Sequence, residues 1–522
     1  MASQPNGHPT TLELTEVETK LRQLLLDVAA YVDETSGTRP VESAVKVPEE
    51  LTQEKIVLRF TGGWVRDKLL GVGSHDIDVA INKMTGEHFG LKIIEYLELP
   101  GNAAKYGIDL KEEKPKVAAE EKPDAKPKEK NGKASKKQKA SEQKQKDGEP
   151  AAKEKSRKIA PGLHKIEANP EKSKNLETAT IKLMGIDLDL VNLRKETYNE
   201  VSRNPQIEFG TPEEDAMRRD ATVNAMFYNL NTSEIEDFTG RGFQDMELKI
   251  IRTPLEPYQT FKDDPLRVLR LIRFASRLNY TIDPETQKAM SNQEIGEVLK
   301  IKISRERVGI ELEKMLKGPD PLMALSLIDN LDLYNTIFTD PTRQLQPPPE
   351  ARPHFGLAYN FVNELLSSKP DIPTTIPDTL VRDAEEKYLA WICATVMSWA
   401  DAPMVPHQKP TQRPYYAAYL VAREGFKAPN KICDVIAASL QHGEEIRDLV
   451  DKCSDQLRRP HARKGGEDVT TRDHLGMAIR RWGATWRTQV LFNLVYEIVQ
   501  ESGRREGKPS LCIHLWTRNL TH

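Results

Sequence analysis

Two aspartates on alternate positions, Asp76 and Asp78 in the segment DIDVAI, are the residues of this chain best suited to holding a hard cation. Side chains two apart on a strand share a face. Two carboxylates side by side repel each other unless a cation offsets their charge, and oxygen donors of this kind suit Mg²⁺. Asp189, in IDLDLVNLR, lies on a neighbouring expected strand and reaches the same place, which gives a three-carboxylate centre. Two metal ions held there activate an attacking hydroxyl and neutralise a triphosphate. Just upstream stands TGGWVRD, residues 61–67. Gly62 and Gly63 let backbone N–H groups approach phosphate oxygens at a helix start. No Gly-Lys-Ser/Thr follows, so this is not a Walker loop. Arg66 and Asp67 serve the phosphates or form an ion pair that holds the turn. A glycine pair or an Asp-x-Asp alone is common; Gly-Gly-x-x-Arg-Asp followed nine residues later by Asp-x-Asp is far more specific. His75 reads as a loop residue, not a ligand.

These residues need elements to hold them. KIVLRFTGG (55–63) predicts a strand that stops at its glycines, VRDKLLG the helix after it, and DIDVAI (76–81) the next strand. ETATIKLMGIDLDLVNLR (177–194) predicts a hairpin around Gly185, its second strand alternating Ile186, Leu188 and Leu190 with Asp187 and Asp189. Before the site, residues 12–34 carry Leu14, Val17, Leu21, Leu25, Val28 and Tyr31 at helical spacing, an amphipathic packing helix. Residues 111–160 contain 16 Lys, 1 Arg, 10 acidic residues and no aromatic. Such a stretch cannot form a core and reads as a largely disordered insert, either a basic RNA tether or a loop that evades the fold. It interrupts one domain. From about 213, beginning with EDAMRRDATVNAMFYNL, the pattern turns helical, and the chain stays mostly helical beyond 350.

The 522 residues suffice for several domains, and 38% hydrophobic with 30% charged residues is a soluble composition. No apolar run is long enough for a membrane span. Cys393, Cys433, Cys453 and Cys512 lack metal-ligand spacing and read as free thiols of a reducing compartment. The first twenty residues hold Glu13, Glu16 and Glu18 but no arginine, a poor presequence. A net charge of −3 argues against indiscriminate nucleic-acid coating while leaving room for a local basic groove.

The stretch 62–67 with 76–78 resembles the active-site motif of the nucleotidyltransferase / poly(A) polymerase superfamily. Together with RRDATVNAMFYN (218–229), DFTGRGFQD (237–245), DDPLRVLRLIRFASRL (263–278) and SRERVGIELEKML (304–316), it resembles the class II tRNA nucleotidyltransferases, the CCA-adding enzymes, in their eukaryotic, fungal branch. The resemblance covers roughly 55–340 apart from the insert. It implies an α+β fold: an N-terminal nucleotidyltransferase head with a small mixed β-sheet, followed by an all-helical neck, body and tail. The expected boundaries are a packing helix at 1–34, the head at 35–230, the neck with base template and hinge at 231–340, and a tRNA-binding helical body and tail at 341–522.

By this resemblance Asp76 and Asp78 bind two Mg²⁺ ions, Asp189 completes the catalytic set, and Gly62, Gly63 and Arg66 hold the triphosphate. Asp220 and Asn224 face the nucleotide sugar, Arg219 lies near the phosphates, and Thr222 is packing. Asp264 and Arg267 match the family's base-reading pair; three apart, they are expected on one helix face, where an Asp accepts from an exocyclic amine and an Arg donates to the ring edge. Arg270 and Arg273 continue the basic series toward nucleotide and primer phosphates. Asp237 and Gly240 match a flexible hinge, and Arg305 and Arg307 an architectural motif. Arg458, Arg459, Arg463, Lys464, Arg480, Arg481 and Arg487 form basic clusters expected to meet the tRNA. Trp482 and Trp486 share a helix face and read as core rather than stacking platforms. The implied reaction adds CMP, CMP and AMP from CTP and ATP to the tRNA 3′ end with no organic cofactor. A monomer serving cytoplasm, nucleus and mitochondrion is expected. The rivals are a poly(A) polymerase, an enzyme adding only CC or only A, and a non-catalytic RNA-binding protein of the same fold.

Overall fold

The computed structural model describes residues 9–35, 54–74, 76–108, 157–160, 163–166, 178–199, 202–343, 351–367, 374–407, 411–458 and 468–504, with Leu51, Leu345, Pro348 and Lys409. The chain divides into two units. The first comprises Met1–Arg194, Ile207–Thr211 and Phe227–Glu236; the second comprises Lys195–Gln206, Pro212–Met226 and Asp237–His522. The expected head at 35–230 therefore differs from the first unit, since 195–206 and 212–226 group with the helical unit.

The first unit is built on one mixed sheet. Its strands are β1 (Leu58–Thr61), β2 (Asp76–Ile81), β3 (Arg157–Ala160), β4 (Leu163–Ile166), β5 (Thr178–Leu183) and β6 (Ile186–Asn192). After a separate two-stranded hairpin, β7 (Arg194–Asn199) with β8 (Ser202–Phe209), come β9 (Phe227–Asn229) and β10 (Glu234–Glu236). The order across the large sheet is β10-β9-β1-β2-β6-β5-β4-β3. Only β2 and β6 run parallel in it; every other described neighbour is antiparallel. The β5–β6 hairpin turns at Met184 and Gly185, with φ of 52° and 82°. Positive φ at both central residues is what a tight two-residue hairpin requires, and glycine adopts it without penalty.

Alternation sorts the sheet into two faces. Leu58, Phe60, Ile77, Val79, Ile81, Leu188, Leu190, Ala179 and Ile181 are buried. Helices α1 (Glu16–Thr35) and α3 (Gly86–Glu98) contribute Leu21, Leu25, Val28, Phe89 and Ile93 to the buried apolar set, and α3 lies close against β5 and β6. Helix α2 (Gly63–Leu69) anchors through Trp64, whose ring meets Phe60 edge-on at 4.8 Å and whose Nε1 donates to Glu18 of α1 at 3.3 Å.

Residues 218–229 are not helical: Pro212–Met217 is the helix, Thr222–Asn224 a single tight turn, and Phe227–Asn229 a strand. Tertiary pairing decides this, because Phe227, Tyr228 and Asn229 are taken up by β1. The insert read over 111–160 also ends earlier, since Arg157–Ala160 pairs with β4; residues 111–156 lie outside the described residues, as does His75.

The second unit is helical, with α4 (Leu266–Leu278), α5 (Arg305–Leu316), α6 (Ala351–Leu366), α7 (Ala384–Val396), α8 (Asn430–Gln441) and α9 (Trp486–Arg504) around one core. Phe338, Phe355, Trp391, Trp399 and Phe492 are buried in it, and Trp399 Nε1 donates to the Phe338 carbonyl at 3.0 Å. Trp482 is buried and Trp486 packs against the core, as expected, but they share no helix face: Trp482 ends the helix Arg472–Trp482, Gly483 breaks the chain, and Trp486 opens α9. Arg305 is buried and donates to the Thr336 carbonyl at 2.8 Å, a bracing contact. Cys393 and Cys433 are buried free thiols and Cys453 is a half-buried one; Cys512 lies outside the described residues.

Two glycines permit close backbone approach. A Cβ on Gly86 would lie 1.9 Å from the Leu190 carbonyl oxygen, and one on Gly309 would lie 2.0 Å from that of Phe426. Neither neighbour is a side chain that can swing aside. Gly86→Ala and Gly309→Ala are each expected to destabilise their unit by about 2 kcal/mol, read as a lowered urea midpoint, whereas Gly476→Ala, with nothing within 4 Å, is not.

Candidate active site

Register places the carboxylates. Asp78 is opposite Asp189 on the parallel strand and opposite Thr61 on β1, and Asp189 is opposite Thr180 on β5. Directly opposed residues face the same way, so Thr61, Asp78, Asp189 and Thr180 form one row across four strands. Asp76, Asp187 and Lys182 form a second row one step along. Asp76 and Asp78 are exposed, while Asp189 is half-buried and accepts from Thr180 Oγ1 at 2.7 Å. Asp187 pairs with Lys182 at 3.1 Å. Among the described residues no three His, Cys, Asp or Glu side chains converge to hold a metal. Asp189 stands opposite Asp78 on the same face, with its Oδ1 taken by Thr180. Asp76 and Asp78 are two exposed carboxylates on one sheet face, a donor set that fits a hard divalent cation. Beside it the buried Thr61 hydroxyl has no hydrogen-bond partner within the described residues.

The glycine turn is real, but Arg66 does not face outward. Gly62 has φ 73° and ψ −138°, a backbone conformation that only glycine adopts readily. Arg66 is buried, its Nε and Nη2 donating to Asp67 Oδ1 at 2.8 and 2.6 Å. The ion-pair reading of Arg66–Asp67 therefore holds, and the expected Arg66–triphosphate contact is not what this geometry presents. A side chain at Gly63 would press on Arg66 Nη2 at 3.2 Å.

In the second unit, arginines and carboxylates interlock. Asp215 is buried and accepts from Arg218 Nε at 3.0 Å and Arg219 Nη2 at 2.8 Å. Arg219 also donates to the Asn224 carbonyl at 3.2 Å. Arg218 Nη1 reaches Glu196 at 3.1 Å, and Arg267 Nη2 lies 3.8 Å from the same carboxylate. Arg270 Nε donates to Asp220 at 2.6 Å, and Arg273 Nε to Glu311 at 2.6 Å. Burial opposes ionisation of Asp220, yet Arg270, with Arg267 and Arg273 behind it, holds its carboxyl below the ordinary range. Asp220 in turn raises the Arg270 guanidinium against its own burial. Thr222 donates to the buried Asp245 at 2.7 Å, as packing requires; burial pushes that carboxyl up. Asp215, Glu196 and Glu311 were not singled out from the sequence. Charge alternation at Asp215-x-x-Arg218-Arg219 was the one available signal.

Asp264 is not on the helix with Arg267. It ends the helix Pro257–Asp263 with φ −129° and ψ 91°, and Pro265 follows. Proline disfavours helical geometry in the residue before it, which is why the chain breaks here. Asp264 instead opens α4: its Oδ1 accepts from Leu266 N at 3.2 Å and its carbonyl from Arg267 N at 3.1 Å. Asp237, the expected hinge residue, accepts from the Thr239 hydroxyl at 2.7 Å and Gly242 N at 2.8 Å, and Gly240 turns with φ 66°. Of the distal cations, Arg480 is exposed, Arg481 pairs with Glu445, and Arg487 lies over Trp486 at 4.5 Å. Arg459, Arg463, Lys464 and the Arg458 side chain lie outside the described residues.

Residues 58–149 and 142–252 match the family model described as Poly A polymerase head domain, in two pieces that meet inside the lysine-rich stretch. Residues 279–345 match the probable RNA and SrmB- binding site of polymerase A. Nucleotidyltransferase lcsQ of Purpureocillium lilacinum is 42% identical over 97% of this chain and 76% of that protein. The tRNA nucleotidyltransferase cca2 of Schizosaccharomyces pombe is 30% identical over 92% of this chain and 81% of that one. The chain belongs to the tRNA nucleotidyltransferase family. A mitochondrial CCA tRNA nucleotidyltransferase of Saccharomyces cerevisiae is 47% identical over 63% of this chain, a match spanning 48% of that protein. A solved tRNA-processing enzyme in an apo form shares the fold, with a TM-score of 0.53 at 14% identity over 98% of both chains. Enzymes of this tRNA nucleotidyltransferase superfamily are metal-dependent. No described helix is long and apolar enough to cross a membrane.

The Asp220–Arg270 pair sets a pH signature. A carboxyl depressed on folding stabilises above its unfolded pKa and loses that contribution as pH falls through the folded value. The stability gap between wild type and Asp220→Asn is expected to be full at pH 7 and to shrink only below the ordinary value of 3.8, as read by urea unfolding at stepped pH.

Proposed function

We propose that this chain completes tRNA 3′ ends, adding CMP, CMP and AMP stepwise from CTP and ATP and releasing pyrophosphate at each addition. The observation that carries the reading is the exposed Asp76–Asp78 pair on the catalytic sheet face of a chain that belongs to the tRNA nucleotidyltransferase family. Asp76 and Asp78 hold the cation, for which we name Mg²⁺ and two ions; when bound, it supplies charge neutralisation for the triphosphate and acidifies the attacking hydroxyl. Gly62 and Gly63 present backbone N–H groups to phosphate oxygens, on a turn braced by Arg66–Asp67. The tRNA 3′ oxygen forms the new bond to the α-phosphorus as the bond to the leaving pyrophosphate breaks, in line. Asp189 orders the row from its Thr180 contact.

Base choice falls to Asp264 and Arg267. A carboxylate accepting from the exocyclic amine and a guanidinium donating to the ring edge suit cytosine and adenine alike, and leave uracil with unpaired groups. Asp220, Asn224 and Arg219 shape the sugar and phosphate side, with Arg270 and Arg273 behind them. Asp237 and Gly240 form the hinge needed when CTP gives way to ATP. Arg480, Arg481 and the cations at 458–464 contact tRNA phosphates. A protein of this activity serves cytoplasm, nucleus and mitochondrion.

The test is a tRNA transcript lacking its last three nucleotides, incubated with Mg²⁺ and with CTP and ATP singly and together, the products resolved at single-nucleotide length. Two additions with CTP alone and a third only with ATP present are expected. Long A tracts, a stop after CC, or no addition by folded protein that binds tRNA would each replace this reading. Asp264→Ala is expected to lose discrimination against UTP by roughly tenfold to a hundredfold, read as misincorporation on the same gel.

A further inference from the structure

Glu196 lies outside every motif that the sequence offers, yet two arginines of the second unit meet on its carboxylate. Arg218 Nη1 donates to its Oε1 at 3.1 Å, and Arg267 Nη2 lies 3.8 Å from its Oε2. The Glu196 and Arg267 side chains are each only 10% exposed, so water screens this pair far less than a surface bridge. Arg218 is gripped on its other side by Asp215, whose side chain is 2% exposed. The result is a line of alternating charge, Asp215, Arg218, Glu196, Arg267, that starts in the core and ends at the base-reading arginine.

The chemistry of a guanidinium gives this line a consequence. Its five N–H donors lie in one plane, and a shielded carboxylate 3.8 Å from one edge, an ion-pair contact longer than a hydrogen bond, biases that plane by charge. An arginine left to rotate can satisfy the acceptors of uracil as readily as those of cytosine; one held in a single plane discriminates. We infer that Glu196 is a positioning residue for nucleotide choice, holding Arg267 in the plane that accepts cytosine and adenine and rejects uracil. This rests on the reading of Arg267 as the base-contacting residue.

Glu196→Gln keeps the shape and removes the charge. The KM for CTP and for ATP is expected to rise about tenfold and the CMP-to-UMP incorporation ratio to fall about tenfold, while the KM for tRNA stays unchanged. Glu196→Asp, which keeps the charge one methylene shorter, recovers part of the ratio. Glu214→Gln, which removes the partner of the exposed Lys195 on the same hairpin strand, leaves the ratio at its wild-type value. If Glu196→Gln lowers the thermal midpoint and all rate constants together while the CMP-to-UMP ratio is unchanged, Glu196 is merely structural and the inference is overturned. Failure of the wild-type protein to extend tRNA in the same assay overturns the underlying function instead, and is visible before any variant is compared.

Discussion

The parallel pairing of β2 with β6 is the constraint on which the catalytic unit depends. It sets Asp78 against Asp189 and Asp76 against Asp187, and it does so in one register only. A slip of one residue would turn every carboxylate in both rows toward the apolar face and bring Ile77, Val79, Leu188 and Leu190 into water. Burial of those side chains therefore holds both carboxylate rows in place. A parallel pair also needs a crossover, and α3 forms part of it, seated on β6 at Gly86, where a Cβ would meet the Leu190 carbonyl oxygen. The lysine-rich stretch lies in this same crossover, between β2 and β6, where added length costs little because closure entropy grows only with the logarithm of loop length.

The second unit solves a different problem. It holds cationic donors in a partly shielded place, where the proposed reading has them meet the base, and shielded charges are costly unless paired. Asp215, Glu196, Asp220 and Glu311 supply the partners, one arginine or two apiece. Lysine would not serve here: a guanidinium can bond to one carboxylate and still present planar donors elsewhere, whereas an ammonium is a point charge. The same logic makes Asp264 useful at a helix break. The break before Pro265 leaves one carboxylate oxygen on Leu266 N, with further acceptor capacity on the same group.

Much of this was legible in the sequence because local rules governed it. Strand β2 spans DIDVAI as read, and the hairpin around Gly185 follows from alternation and a glycine with positive φ. The motif residues were found because residue types and spacing carried them. What was not legible depended on distant partners. Phe227–Asn229 read as helix because β1, which pairs with it, lies some 170 residues upstream. For Arg66 the ion pair with its neighbour Asp67 was one of two legible readings, and only its burial, which decides between them, is a tertiary fact. The three-residue spacing of Asp264 and Arg267 suggests one helix face, although the proline between them signals the break that the structure shows. Glu196 carried no spacing signal at all, since both of its arginines come from other elements.

The central claim is that the exposed Asp76–Asp78 pair performs the transfer, while the arginine–carboxylate frame of the other unit governs which nucleotide is chosen. The most direct measurement is single-turnover incorporation of CMP by Asp78→Asn alongside equilibrium CTP binding, each against UTP. The account predicts incorporation reduced by about a hundredfold or more, with the preference for CTP over UTP in binding kept at its wild-type value. Incorporation within a few-fold of wild type, or a preference lost together with the rate, would contradict it.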